Sequence, residues 1–357
     1  MLLEHWRNAF FVDFPSIGSH RPFLGPLYVL SGAGHQAVII FFVLSGYLIS
    51  GTVFRSFQRH EWSWGRYAVH RLVRLWVVLI PALLLGALWD NLGIHLHYAP
   101  NLYSGANYNH VTPDVTRSLS LNDFLGNAAF LQTIVVPTFG SNGPLWSLAN
   151  EFWYYALFPL GACVVARIAK TPIHVILCIA AFAVIAVGLT KDILLLFPVW
   201  LFGALLHAFP SRKPTTLWFR VLAASIYAIL FFGVAILDHR GWFGRGVLGD
   251  SFLGIATFGF IWVLLGAKQK AEKTLLNHFA RQAARLSYTL YAAHTPFLIF
   301  MVALLTHDRR WIPATGNTLL VVGVLILVVA YAWLLAMVTE FKTDRVRAWA
   351  ENKVIRP

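Results

Sequence analysis

Apolar residues follow one another in long uninterrupted runs along this chain, and polar residues gather in the short stretches between them. A run must reach about 17–25 residues to span a bilayer as a helix. Runs of that order fall near 36–54, 72–92, 145–167, 172–190, 192–208, 217–237, 250–267, 283–305 and 317–340. Residues 1–12 read as the end of one more, giving about ten spanning helices with the first apparently truncated. Two leucines before a polar cluster (Glu4, His5, Arg7) cannot cross a ~30 Å core at 1.5 Å per residue. The simpler expectation is that the polypeptide begins upstream of Met1. None of the runs alternates with period two, which excludes a membrane β-barrel. The fold class is therefore all-α, a polytopic membrane bundle forming one domain over 1–357. Its longest extramembrane stretch, 93–144, carries a semi-apolar segment from Leu121 too short to span, expected to be an interfacial or re-entrant helix.

Composition agrees with lipid as the main solvent. Hydrophobic residues make up 58% and charged residues 12%, against about 25% charged in soluble domains. The formal net charge of +13 reports topology. With the N-terminus inside, most Lys and Arg fall on inner segments, from Arg55 to Arg74, Arg167 to Lys170, Arg212 to Arg220, Lys268 to Arg285 and Lys342 to Arg356. The positive-inside rule then puts both termini in the cytoplasm of a cell-membrane (inner or plasma membrane) protein. Spread over many short loops, this charge attracts anionic membrane lipid and forms no single basic face for nucleic acid. Two cysteines, Cys163 and Cys178, both within apolar runs, exclude a disulfide framework.

The informative polar groups are those that interrupt apolar surroundings. In Trp146-Ser147-Leu148-Ala149-Asn150-Glu151, a carboxylate enters an apolar helix with no basic residue before Arg167. A charge at a helix centre costs about 2.5–3.5 kcal/mol on insertion scales. Such a group either serves chemistry, ion passage or a buried pair, or snorkels to water from the headgroup region. His5 at the outer end of the first helix is either a solvated interfacial residue or a base. In this topology His5 and Glu151 lie at a similar outer depth, where a base and the carboxylate that orients it are expected within reach of one another. Arg71 and Arg74, three apart on one helical face at an inner end, read as positive-inside anchors or as a fork for phosphates. Tyr288, Tyr291 and His294 share a face and, with Trp146 and Asn150, either line a polar channel or bond helix to helix. Ser45-Gly46 reads as a close-packing pair without chemistry. His95, His97, His110 and Asp114 form no second tight cluster that would complete a zinc site, so no metal is expected.

Taken in order, five local patterns resemble acyltransferase family 3, the integral-membrane O-acyltransferases. His5 stands where that family has a histidine ending its first helix. The stretch 38–49, with Phe41-Phe42 and Ser45-Gly46-Tyr47-Leu48-Ile49, resembles its FFxxSGxLI helix. Arg71-Leu72-Val73-Arg74, followed by Pro81, is similar to its RxxR motif, although the proline lies further away than is usual. Trp146-Ser147-Leu148 through Glu151 and Tyr154 resembles WSLxxExxFY, and Ser287-Tyr288, Tyr291, His294 and Pro296 resemble SYxxYLxHxP. The family's arginine, eleven residues before its histidine, would precede Met1.

The resemblance implies transfer of an acyl group, acetyl first among the candidates, from acyl-CoA to a hydroxyl of a sugar, glycan or small alcohol. In that reading no cofactor is bound, acyl-CoA is a co-substrate with its phosphates at Arg71 and Arg74, and His5 is the base with Glu151 orienting it. The oligomeric state stays open. A proton-coupled secondary transporter would also bury His5, Glu151 and His294, but it would more often show two similar halves, which this chain lacks.

Overall fold

A computed structural model describes residues 1–106, 111–165, 171–210, 215–239, 246–267 and 275–354. It contains fourteen α-helices and, among the described residues, no strand beyond two isolated bridges. In chain order they are α1 (Leu2–Phe10), α2 (Arg21–Ser31), α3 (Gly34–Gln58), α4 (Trp64–Leu96), α5 (Pro100–Ser104), α6 (Leu121–Ala128) and α7 (Trp146–Val165). There follow α8 (Pro172–Gly188), α9 (Lys191–Leu205), α10 (Leu217–His239), α11 (Val247–Leu265), α12 (Leu275–Thr306), α13 (Thr315–Val338) and α14 (Thr343–Val354).

Each of the nine full-length apolar runs coincides with one helix, α3, α4 and α7 to α13. Six stretches among the described residues are long and apolar enough to cross a membrane, and they contain α3, α4 and α10 to α13. The chain is an all-α polytopic membrane protein. By length and composition these six could cross, against about ten expected; α8, for example, is apolar but only 17 residues long. The helices carry their apolar surface outward as well as inward. Val187 is 88% exposed and Ile229 71%, as suits side chains that meet lipid tails.

Packing divides the chain into two compact units. The first takes Met1–Ser31, Ser63–Ala149 and Glu272–Pro357; the second takes Gly32–Trp62 and Asn150–Ala271.

In the first unit α4 packs along α12, and α12 along α13. At 33 and 32 residues, α4 and α12 measure about 48–50 Å, well beyond a ~30 Å hydrocarbon core. Their polar ends therefore extend past it; Arg66 and Arg71 lie on that extension of α4, and Arg74 lies just inside the apolar run. Ser63 caps α4 by accepting from the Arg66 N–H. Gly86 lets α4 approach Pro296, since a Cβ there would sit 3.3 Å from the proline ring. The short α1 is built into this unit rather than lying loosely against it. Trp6 donates its indole N–H to the Val321 carbonyl at 2.6 Å, and Phe10 and Val12 exchange backbone hydrogen bonds with Trp311. Trp6, Phe10 and Phe11 join Leu298, Val302, Val324 and Val328 in one apolar cluster.

The segment 93–144 contains α5 and α6. Helix α6 is fixed by a capping box between Ser120 and Asp123. Asn127 ties the segment beyond it, donating to the Asp123 and Pro137 carbonyls and accepting from the Phe139 N–H.

In the second unit α3 and α9 make the closest approach. A Cβ on Gly46 would stand 2.0 Å from the Trp200 carbonyl oxygen, and one on Gly203 would stand 1.9 Å from that of Val43. The close packing expected of Ser45-Gly46 is present, and only glycine permits it.

Candidate active site

The first unit holds His5 and His294. His294 is 1% exposed, and its Nδ1 lies 2.8 Å and 3.0 Å from the carbonyls of Leu290 and Tyr291. Carbonyls only accept, so Nδ1 carries a proton and, in the neutral ring, Nε2 keeps its lone pair. That Nε2 lies 3.2 Å from the Thr295 hydroxyl. The His5 ring sits beside it, with ring centroids 5.4 Å apart and planes inclined at 53°. The partly buried imidazole of His5 on α1 thus lies against the buried one of His294 on α12.

Why α12 can host this pair follows from its proline. Pro296 has no N–H, so the Ala292 carbonyl loses its helical partner. Asn142 supplies one, donating its side-chain amide to Ala292 at 2.7 Å. Tyr291 reinforces the joint by donating to the Pro144 carbonyl and sharing a hydrogen bond with Ser147. Next in the chain, Ser141 donates both its N–H (2.8 Å) and its hydroxyl (2.7 Å) to the fully buried Asp90 on α4. The turn from Gly140 to Ser147 is therefore pinned to α4 and α12 at the point where α7 begins. Gly140 is required there, with φ +56° and Asp90 Oδ2 2.1 Å from where a Cβ would stand.

Glu151 belongs to the second unit, where it is 6% exposed. Ser45 on α3 donates to its Oε1 at 3.0 Å, and Tyr155, one helical turn on, donates to the same oxygen. Trp200 in turn donates to Ser45 Oγ at 3.2 Å. The carboxylate is thus held by two hydroxyl donors, one of them itself held by an indole, a different setting from the snorkelling alternative. Asn150 is also buried and donates to the Tyr154 hydroxyl at 3.4 Å, while Tyr154 donates to the Ile193 carbonyl. Trp146 is partly buried at the start of α7.

The remaining expected residues have these places. Tyr288 donates to the Leu75 carbonyl at 3.0 Å, so its hydroxyl and that of Tyr291 both make joints within the first unit. Arg71 and Arg74 line a cavity of about 360 Å³ together with Tyr288, Arg285, Glu340 and Arg347. His95 and His97 are exposed and bond to nearby carbonyls; Asp114 pairs with Arg117. His110 lies outside the described residues, as do Arg167, Lys170, Arg212, Lys213, Arg240, Arg245, Lys268, Lys270, Lys273 and Arg356 of the charge pattern. Among the described residues no group of three or more His, Cys, Asp or Glu side chains is placed to hold a metal.

Three contributions were missed in the sequence. Ser45 bonds the carboxylate directly, although the motif reads as packing alone. Tyr155 was legible, since residues four apart meet on a helix. Arg7, named only as part of a polar cluster, is 7% exposed and lies over the Tyr28 ring at 4.6 Å.

Comparison with known proteins adds a family match. Residues 8–337 match a family described as an acyltransferase domain. A curated relative, an "O-acetyl transferase" of Shigella phage Sf6, is 28% identical over 188 residues, 52% of this chain and 51% of the relative. The chain thus matches about half the length of that protein. No solved structure matches.

Proposed function

From the premise that the chain belongs to the acyltransferase-domain family, we propose that it is a membrane O-acyltransferase moving an acetyl group from acetyl-CoA to a hydroxyl of a sugar or glycan. The observation that carries this reading is the imidazole pair, partly buried His5 beside buried His294, in a protein of that family. Acyl transfer to an alcohol needs a base for the hydroxyl proton, and histidine is suited to it. The description of the phage relative as an O-acetyl transferase favours acetyl as the group and oxygen as the acceptor atom.

In the proposed reaction His5 takes the proton of the acceptor hydroxyl. The oxygen attacks the thioester carbonyl, the carbon–sulfur bond breaks, and the coenzyme thiolate leaves and takes up a proton. His294, its Nδ1 proton held by its own helix, offers a fixed polar neighbour to the His5 ring. Glu151 is assigned as the carboxylate of the reaction, kept in place by Ser45 and Tyr155. Arg71 and Arg74 are assigned to the donor phosphates, as point charges with a planar fork suited to that partner. The site is placed in a cell membrane with both chain ends cytoplasmic, on the strength of the charge pattern.

The test is transfer of radiolabel from acetyl-CoA to isolated envelope glycan by the purified protein. Labelled glycan supports the reading. A well-folded protein that labels no glycan and does not turn over acetyl-CoA overturns it.

A further inference from the structure

The cavity beside Arg71 and Arg74 is larger and more basic than a two-arginine motif requires. It lies wholly within the first unit, where the beginnings of α4 and α12 meet the chain entering α14. Four guanidiniums line it: Arg71 and Arg74 from α4, Arg285 from α12 and Arg347 from α14. Residues more than 200 positions apart have been brought together, although like charges in one cavity repel.

The carboxylates present do not balance them. Glu340 is engaged by α12, accepting from the Thr289 N–H at 3.0 Å and the Thr289 hydroxyl at 2.8 Å. Asp344 pairs with Arg347 at 2.8 Å, but this is an exposed i,i+3 pair, worth little. Four cations thus face two carboxylates. Arg285 also lies over the Phe341 ring, 4.6 Å from its centroid. Stacking uses the face of a guanidinium and leaves its in-plane N–H edge for an anion. A monoanion fills one such edge; this number of forks suits a ligand with several phosphates. A volume of about 360 Å³ is at the small end of ligand pockets, which run to roughly 300–1,000 Å³. It suits one end of a long molecule, and Tyr288 and Phe341 are among the residues that line it.

We infer that this cavity holds the phosphorylated nucleotide end of the acyl donor, and that Arg285 and Arg347 grip its phosphates alongside Arg71 and Arg74. The inference rests on the acyl-CoA reading above and adds two binding residues and a place for the nucleotide. Anionic phospholipid headgroups present the same phosphate chemistry, so the experiment separates the two sources.

The full chain, in nanodiscs of neutral phosphatidylcholine, is titrated with adenosine 3′,5′-bisphosphate by calorimetry. The panel comprises wild type, Arg285→Gln, Arg347→Gln and, as a control on an exposed part of α12 outside the cavity, Arg281→Gln. Each cavity variant is expected to bind about tenfold or more weakly, the loss of one charge-assisted fork, with the control unchanged. In turnover the KM for acetyl-CoA rises by a similar factor, with kcat and the KM for acceptor nearly unchanged. Arg285→Lys and Arg347→Lys, which keep the charge, stand in if a Gln variant melts early. Wild-type affinity in both positions overturns the assignment, and so does binding that anionic phospholipid in the nanodisc abolishes. Acetyl transfer with unaltered donor dependence in both variants removes this inference and leaves the proposed function; nucleotide binding without any transfer does the reverse.

Discussion

Gly46→Ala tests how helix packing supports the buried carboxylate. The added Cβ would stand 2.0 Å from the Trp200 carbonyl oxygen, 3.1 Å from the Trp200 carbonyl carbon and 3.3 Å from Gly203 Cα. All three are backbone atoms, so no side chain can swing aside, and α3 must move off α9 by more than an ångström to restore contact. Overpacking of a tight interface typically costs about 1–3 kcal/mol, and this contact, being backbone against backbone, belongs at the upper end. The displacement also pulls Ser45 from Glu151 and from Trp200, now 3.0 Å and 3.2 Å away. Thermal unfolding in detergent, read by intrinsic fluorescence, should show a clear fall in melting temperature, and activity should fall beyond what unfolding explains. Gly259→Ala is the control, because nothing lies within 4 Å of a Cβ at that position of α11. A Gly46→Ala protein as stable and as active as the Gly259→Ala protein would refute the reasoning.

Three further outcomes follow from the same geometry. Glu151→Gln keeps an oxygen for Ser45 and Tyr155 but removes the charge; folding should be intact and kcat lower by about 10²–10⁴, the usual scale of acid–base contributions, read by steady-state kinetics beside a melting curve. Asn142→Leu leaves the Ala292 carbonyl beside Pro296 without its donor, so stability should drop by about 1–3 kcal/mol in denaturant titrations, whereas Asn142→Asp, whose carboxylate cannot donate, should be no better. Arg71→Lys and Arg74→Lys keep the positive charge and lose the planar fork; the KM for acetyl-CoA should rise while membrane topology, mapped by cysteine labelling, stays as in wild type.

The spans were legible because an apolar run of fixed length has few other uses. Each of the nine full-length runs is occupied by one helix, and the errors lie at polar ends, where α4 begins at Trp64 and α12 at Leu275, well before the apolar stretch. Hydropathy cannot see those extensions, since helix continues there without apolar residues. Of the cavity arginines Arg71 lies on such an extension, Arg74 and Arg285 lie near the starts of the apolar runs, and Arg347 lies on α14. Arg285 and Arg347 read in the sequence as ordinary inner charges, because only folding brings them beside Arg71 and Arg74. The Glu151 setting was half legible. Its isolation among apolar residues marked it, and Tyr155 follows from helical spacing, but Ser45 lies 106 residues away and its motif reads equally well as packing. His5 and His294 were each singled out, yet their meeting through α1 and α12 depends on a nine-residue helix too short to be judged from periodicity. Asp90 and Asn142 carry no pattern at all. Their part appears only when Pro296 and Gly140 are seen to need a partner.

The most direct test of the central claim is acetyl transfer by the purified protein in proteoliposomes, with labelled acetyl-CoA and envelope glycan, for wild type and His5→Ala side by side. The account predicts labelled glycan with wild type and a rate at least a hundredfold lower, about the lower bound for a lost general base, with an equally well-folded His5→Ala. Equal labelling by the two proteins, or none by a folded wild type, would contradict it.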